Sequence, residues 1–85
     1  MYVIKTSDFE RAYKRLPFGI QKLCLIQEER FALSSRDPRL HIKKLKDFDD
    51  AFSFRITRKY RALFYFQNAE TVICFDIDHR KDVYK

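Results

Sequence analysis

Two arginines and a histidine are the residues of this 85-residue chain whose types and positions best fit phosphate chemistry. Arg55 and Arg61 lie within β-rich runs, and a guanidinium group can donate two parallel hydrogen bonds to a phosphate. His79 follows the last apolar run, and imidazole is the side chain whose ordinary pKa suits proton transfer near neutral pH. Together they predict a site that binds phosphate and moves a proton. The structural alternatives are a salt bridge from an arginine to Asp76 or Asp78 and a capping role for His79.

Most of the positive charge lies in one part of the sequence. The formal net charge is +6, and the segment from Arg39 to Arg61 contributes +5 of it, with eight basic residues against three acids. Besides the strand arginines and Arg39, this segment has five basic residues, which fall in an arm and at a turn: Lys43, Lys44, Lys46, Arg58 and Lys59. Concentrated positive charge attracts polyanions, and phosphate contacts supply much of the affinity for nucleic acid. We therefore predict that these five bind nucleic acid; the alternative is a charged edge that blocks strand aggregation.

The hydrophobic pattern predicts an α+β fold in which a helical hairpin packs on one face of a mainly antiparallel β-sheet. Tyr2–Lys5 is predicted to be an N-terminal strand, and Ser7 with Glu10 fits a capping box that begins the first helix. A second helix is predicted over 18–34. Three strands follow, over 52–57, 60–67 and 71–78, whereas residues 39–50 fit no single type of element. The other face of the sheet is predicted to be open and to carry the site.

The turn between the first two of these three strands decides whether the arginines share a face. If Arg58 and Lys59 formed a regular two-residue loop, residue 56 would pair with residue 61, and Arg55 and Arg61 would lie on opposite faces. An odd loop or a β-bulge would bring the two guanidinium groups together. We predict an irregular hairpin here.

Length and composition exclude larger enzymes. A chain of 85 residues has no room for a second core or a deep cofactor cavity, which excludes Rossmann, barrel and multidomain enzymes and predicts one domain over 1–85. With a single glycine there is no phosphate-binding glycine loop, and no metal-ligand or nucleophilic-serine motif occurs, so no metal or cofactor is expected. Cys24 and Cys74 lie in apolar runs and are expected to be buried hydrophobes in a reducing compartment. No stretch approaches the roughly 18 apolar residues of a membrane span, and the N-terminus is not a signal peptide, so a soluble, cytoplasmic protein is expected.

Four segments together resemble the RelE/ParE superfamily of toxins from bacterial and archaeal toxin–antitoxin modules: FERAYKRLP, DPRLHIKKLKD, SFRITRKYRALFYF and ETVICFDIDHRKDVY. The likeness covers almost the whole chain and is most specific in the last two segments. It implies a microbial-RNase-like α+β fold and the toxin of a type II toxin–antitoxin system, neutralised by an antitoxin partner that wraps around it. It also implies a ribosome-dependent mRNA endoribonuclease, or mRNA interferase, in which the RNA 2′-OH attacks the adjacent phosphate without metal.

The resemblance also implies roles for individual residues. Arg55 and Arg61 match strand residues assigned to phosphate binding and transition-state stabilisation in RelE-like members. Arg80 and Tyr84 match the C-terminal Arg and Tyr of the same subgroup, the Tyr being placed to stack on or position a base. His79 is similar to the C-terminal histidine of the YoeB-like subgroup, where it serves as general acid. The arm lysines fall where family members present basic side chains to rRNA or the substrate.

Two departures from the family pattern leave the general base open. YoeB-like enzymes carry a glutamate base before the first core hairpin, and DPRLHIKKLK supplies no such carboxylate. Ser53 stands where RelE-like members carry a further lysine. The candidates for the base are a lysine of the arm and His41. Loss of catalytic groups is typical of ParE-like members, which inhibit DNA gyrase, so gyrase inhibition is the first alternative function and an inactive antitoxin-binding homologue the second.

Overall fold

A computed structural model describes residues 1–79 of the chain. In chain order the elements are β1 (Tyr2–Lys5), α1 (Ser7–Lys14), α2 (Phe18–Leu33), a short 3-10 helix (Pro38–Leu40), β2 (Lys43–Lys44), β3 (Ala51–Arg55), β4 (Tyr60–Asn68) and β5 (Thr71–His79). The five strands form one sheet in the order β1-β5-β4-β3-β2. Neighbouring strands are antiparallel except β1 and β5, which are parallel. The predicted α+β fold, with a helical hairpin on one face of a mainly antiparallel sheet, is confirmed.

The main core lies between the helices and the sheet, and three phenylalanines form its centre. Phe31 of α2 has its ring centroid 5.2 Å from that of Phe54 and 4.6 Å from that of Phe64, and all three side chains are fully buried. Tilted rings at this spacing combine a large buried apolar area with favourable ring-edge contacts. Because side chains alternate along a strand, the odd-numbered neighbours on β3 and β4 point to the other face.

A smaller cluster lies on the sheet face away from the helices, here called the open face. Leu45, Ala51 and Leu63 are buried there, and Phe75 packs against them. The backbone N–H of Leu45 donates to the carbonyl of Ala51 at 2.9 Å, which fixes β2 and the segment after it to the start of β3. The arm, for which the sequence predicted no type of element, therefore supplies an edge strand and an apolar anchor. This cluster covers part of the open face and leaves the end near the β3–β4 turn accessible.

The N-cap of the first helix lies one residue earlier than predicted. Thr6, not Ser7, is the N-cap, because the Thr6 hydroxyl oxygen accepts a hydrogen bond from the Phe9 backbone N–H at 3.1 Å. The predicted capping box of Ser7 and Glu10 is therefore wrong. The physical reason is tertiary: the Thr6 N–H donates to the carbonyl of Cys74 at 3.0 Å, so the chain leaves the sheet at Thr6 in an extended conformation and the helix starts directly after it.

Both cysteines are buried in the main core. Burial raises the pKa of Cys24 and of Cys74 to about 12 in each case. A thiol with so high a pKa is almost entirely protonated near neutral pH and is therefore a poor nucleophile. Among residues 1–79, no helix is long and apolar enough to cross a membrane.

Burial of a carboxylate on α2 lowers the stability of the folded state. The Glu28 side chain is only 11% exposed, and its Oε1 lies 3.4 Å from Lys5 Nζ, a long contact that is not a good hydrogen bond. Burial raises the pKa of Glu28, and the nearby Lys5 ammonium only partly opposes this. Because the folded-state pKa lies above the unfolded one, the stabilisation from proton binding is present at low pH and is lost as the pH rises through the folded-state pKa.

Replacing Glu28 with Gln is expected to raise the free energy of unfolding at pH 7, because an amide avoids the cost of burying a charge. The gain should shrink towards zero below about pH 4, near the ordinary pKa of glutamate, where the native carboxyl is protonated as well. Urea denaturation at both pH values measures it. Glu29→Gln, at the exposed neighbouring position, is the matched control. A lower stability of Glu28→Gln than of wild type at pH 7 would show that the contact with Lys5 outweighs the burial cost.

Candidate active site

The two strand arginines lie directly opposite each other. Arg55, the last residue of β3, pairs with Arg61 of β4 in the antiparallel register. Residues 56–59 form an irregular turn in which the backbone N–H groups of Ile56 and Thr57 both donate to the carbonyl of Tyr60, at 3.0 and 3.1 Å. The irregular hairpin predicted from the sequence is therefore confirmed. Directly opposite residues of an antiparallel pair project to the same face, so both guanidinium groups belong to the open face.

A buried glutamine on α2 fixes the strand end that carries Arg55. Gln27 is 6% exposed, and its Nε2 donates to the backbone carbonyl of Arg55 at 2.6 Å and to that of Arg39 at 2.9 Å. Its Oε1 accepts a hydrogen bond from Arg30 Nη1 at 3.0 Å. One side chain thus ties the helix to the end of β3 and to the segment before β2. Gln27 was not among the residues predicted from the sequence; the available signal was a polar side chain on the apolar face of a predicted helix.

A shallow cleft on the open face brings the arginine pair together with the arm. Lys43 pairs with Ser53 across β2 and β3, which places Lys43 on the same face as the arginines. His41, one of the candidates for the general base, precedes β2 with a left-handed backbone (φ 48°). The residues that line this cleft are His41, Lys43, Ser53, Arg55, Thr57, Tyr60 and Arg61. Two arginines, a lysine and a histidine therefore meet at one place.

The predicted nucleic-acid-binding residues extend from this cleft along the arm. A neighbouring cleft of about 400 Å³ is lined by the three arm lysines together with Leu45, Asp47 and Arg61. All three arm lysines, Lys43, Lys44 and Lys46, are exposed. Arg58 and Lys59 are exposed at the tip of the β3–β4 turn. Since Arg61 borders both clefts, the structure joins the lysines of the arm to the arginine pair.

Arg61 also forms the ion pair that the sequence suggested as its alternative role. Asp78 of β5 lies directly opposite Arg61, and its Oδ2 accepts from Arg61 Nε at 3.0 Å and lies 2.9 Å from Nη2. The side chains are 30% and 41% exposed. An ion pair with this much contact with water is weak and is easily exchanged for other partners.

The structure does not bring His79 to the arginine face. His79 pairs with Tyr60, and the two rings stack with centroids 4.3 Å apart and planes 8° apart. Both belong to the helix side of the sheet, where His79 lines another cleft together with Leu16 of the segment after α1 and Ile77 of β5. Tyr60 borders this cleft and the arginine cleft alike.

A bulge in β5 produces this arrangement. Leu63 pairs with Asp76, but the next residue of β4 pairs with Cys74, so Phe75 is the extra residue. Because strand side chains alternate, the extra residue reverses the faces of everything after it. Asp78 thereby joins the arginines, and His79 joins the helix side. Arg80 and Tyr84, the other two predicted site residues, lie outside the described residues.

No model of a protein family matches the sequence, and no curated protein does. Solved structures do match. A chain of the RelB–RelE antitoxin–toxin complex from Methanococcus jannaschii is 26% identical, with a TM-score of 0.75 over 95% of this chain and 94% of the other. A chain of the RelBE2 toxin–antitoxin complex from Mycobacterium tuberculosis is 27% identical, with a TM-score of 0.66 over 93% and 96%.

A third match concerns the fold alone. The YoeB/ParE toxin from Agrobacterium tumefaciens is 14% identical, with a TM-score of 0.74 over 93% of this chain and 98% of the other. All three likenesses extend over nearly the full length of both chains, so the fold is shared as a whole and not through one motif. The likeness to the chains from the two RelE complexes, 26% and 27% identical over nearly their full length, supports placing this chain in the RelE/ParE toxin superfamily.

Proposed function

We propose that this chain is the toxin of a type II toxin–antitoxin system and that it acts as an mRNA endoribonuclease on the ribosome. The observation that carries the proposal is the direct opposition of Arg55 and Arg61 on the open face, in one cleft with His41 and Lys43. Two guanidinium groups at adjacent positions can hold one phosphate and stabilise the extra charge it gains during the reaction. The likeness to RelE structures supports the same activity.

The reaction is an internal transfer at phosphorus. The ribose 2′-oxygen bonds to the adjacent phosphorus as the bond from phosphorus to the 5′-oxygen breaks, which yields a 2′,3′-cyclic phosphate and a 5′-hydroxyl. The 2′-OH proton passes to a base, and the leaving 5′-oxygen receives a proton from an acid. The arginine pair stabilises the negatively charged phosphorane between these events. We assign His41, which lines the arginine cleft, as the base. On the resemblance to YoeB-like toxins we assign His79 as the acid; its ring lies on the helix side, stacked on Tyr60, and Tyr60 itself borders the arginine cleft.

The remaining assignments follow from the same proposal. The arm lysines and the basic residues of the β3–β4 turn bind the backbone of mRNA or rRNA, and the substrate is presented by the ribosome in the cytoplasm. Arg80 supplies a further cation and Tyr84 positions a base. The protein partner is an antitoxin, as in the solved complexes that the chain resembles.

A second candidate function is ParE-like inhibition of DNA gyrase. The observation in its favour is that His79 stacks on Tyr60 on the helix side of the sheet, away from the arginine pair. A protein-binding inhibitor needs no proton donor beside a phosphate site. An inactive homologue that binds an antitoxin is the third possibility, and it predicts neither activity.

The activity is tested by adding the purified protein to translating ribosomes and mapping the ends of the mRNA. We expect cuts within the codon at the ribosomal A site, with a 2′,3′-cyclic phosphate on the upstream fragment. Gyrase supercoiling is measured in parallel. Intact mRNA together with blocked supercoiling would contradict the proposed activity and favour gyrase inhibition. No effect in either assay would favour an inactive homologue that binds an antitoxin.

The role of His79 is tested by two substitutions in the same assay. His79→Phe keeps a ring that can stack on Tyr60 but has no proton to donate, whereas His79→Ala removes both properties. If His79 is the general acid, neither variant can donate the proton, and each is expected to lose at least about 100-fold in cleavage rate. Wild-type cleavage by His79→Phe beside a strong loss in His79→Ala would limit His79 to stacking.

A further inference from the structure

We propose that Asp78 is the internal counterion of the arginine pair and that a phosphate of bound RNA takes its place on Arg61. This inference rests on the proposed binding of RNA at Arg55 and Arg61, and it gives a defined role to one more residue. In the free protein Asp78 is the ion-pair partner of Arg61. When RNA binds, a phosphate replaces Asp78 as that partner.

Two positive charges and one negative charge lie side by side in one row across the sheet. Arg55, Arg61 and Asp78 occupy consecutive positions in one row across β3, β4 and β5. Like charges directly opposite each other in a sheet are destabilising, and an opposite charge beside them relieves the repulsion. In the free protein, Asp78 supplies that opposite charge. A bound phosphate is an anion as well and can supply it instead.

Asp78 occupies the part of the Arg61 guanidinium group that a phosphate would use. Its Oδ2 contacts both Nε and Nη2 of Arg61, at 3.0 and 2.9 Å. Arginine uses such neighbouring N–H groups when it binds phosphate oxygens. Carboxylate and phosphate therefore compete for one edge of Arg61.

The Arg61–Asp78 pair is also accessible to a ligand. Arg61 lines both the arginine cleft and the lysine cleft of the arm, so an RNA backbone that follows the lysines reaches it. The partly exposed side chains of Arg61 and Asp78 form a weak pair that water already contacts. Exchange of the carboxylate for a phosphate needs no movement of the buried core.

Binding of a 2′-O-methyl RNA oligonucleotide tests the inference, because this RNA cannot be cleaved by 2′-OH attack. We expect Asp78→Asn to bind it about two- to fivefold more tightly than Asp76→Asn at the same salt concentration, the factor that corresponds to losing one exposed ion pair. Asp76→Asn removes the same charge two residues away on the same strand and so controls for the overall electrostatic change. Fluorescence anisotropy gives both dissociation constants.

The same comparison in an Arg61→Ala background completes the test. There the difference between the two aspartate substitutions should vanish, because no arginine is left to release. Equal affinities in the native background, weaker binding by Asp78→Asn, or a difference that persists without Arg61 would each overturn the inference. Asp78→Ser replaces Asp78→Asn if the latter does not fold. Because no turnover is involved, a failure to cleave mRNA would contradict the proposed activity without affecting this result.

Discussion

Cleavage of mRNA is expected to fall by about 100- to 1000-fold when Arg61 is replaced by Ala, and by a similar factor when Arg55 is replaced. In the proposed mechanism each guanidinium group lies where the phosphorane gains negative charge, and an alanine supplies no donor in its place. The loss should appear in the rate of the chemical step, measured under single-turnover conditions on programmed ribosomes. The double variant should lose less than the product of the two factors, because the pair acts on one phosphate.

Two further variants separate this role from a general effect of charge. Arg36→Ala removes an equal charge from an exposed position between α2 and the 3-10 helix and should cleave at nearly the wild-type rate. Arg61→Lys keeps the charge but loses the planar, forked donor and is expected to fall between wild type and Arg61→Ala. Cleavage that survives both Arg55→Ala and Arg61→Ala would remove the arginine pair from the site.

The largest effect on stability is expected from Phe64→Ala, which should lower the free energy of unfolding by about 3–5 kcal/mol. Phe64 is fully buried and its ring contacts those of Phe31 and Phe54, so the substitution loses apolar burial and leaves a cavity between α2 and the sheet. The free energy of unfolding of a small domain is only about 5–15 kcal/mol, so this loss would be a large share of it. Urea denaturation monitored by circular dichroism measures the change.

Phe18→Ala is the matched control for this substitution. Phe18, the first residue of α2, is 72% exposed, and the Lys22 ammonium lies over its ring, 4.8 Å from the centroid. Its replacement should change the free energy of unfolding by no more than about 0.5 kcal/mol. A similar loss in both variants would mean that the aromatic cluster does not form the core described above.

The sequence was sufficient for the features that depend on local pattern. Apolar and polar residues alternate over 52–57, which puts Phe52, Phe54 and Ile56 on one side of the chain. Phe54 and Ile56 are buried in the main core, and Phe52 packs against it. Helical periodicity predicted α2, and the concentration of basic residues predicted the charged arm. Each of these predictions depends on residues close together in the chain, whose period or composition is independent of what packs against them.

Other features depended on long-range contacts and were missed for that reason. Thr6 is the N-cap of α1 because its backbone N–H is hydrogen-bonded to β5. Gln27 fixes the end of β3 because its side chain donates to backbone carbonyls of two segments that come later in the chain. Neither partner is near in sequence. Propensity rules rank residue types at a helix end or on a helix face. They carry no information on where a strand from a distant part of the sequence will pack.

The chemistry-bearing residues show the same division. The sequence by itself determined that Arg55 and Arg61 stand on neighbouring strands and that Asp78 and His79 stand side by side at the end of another. Only the tertiary structure decided their faces: the irregular β3–β4 turn sets Arg55 opposite Arg61, and the bulge at Phe75 turns Asp78 towards them and His79 away. The reason is that strand side chains alternate with a period of two, so a single extra residue exchanges the two faces of everything that follows it.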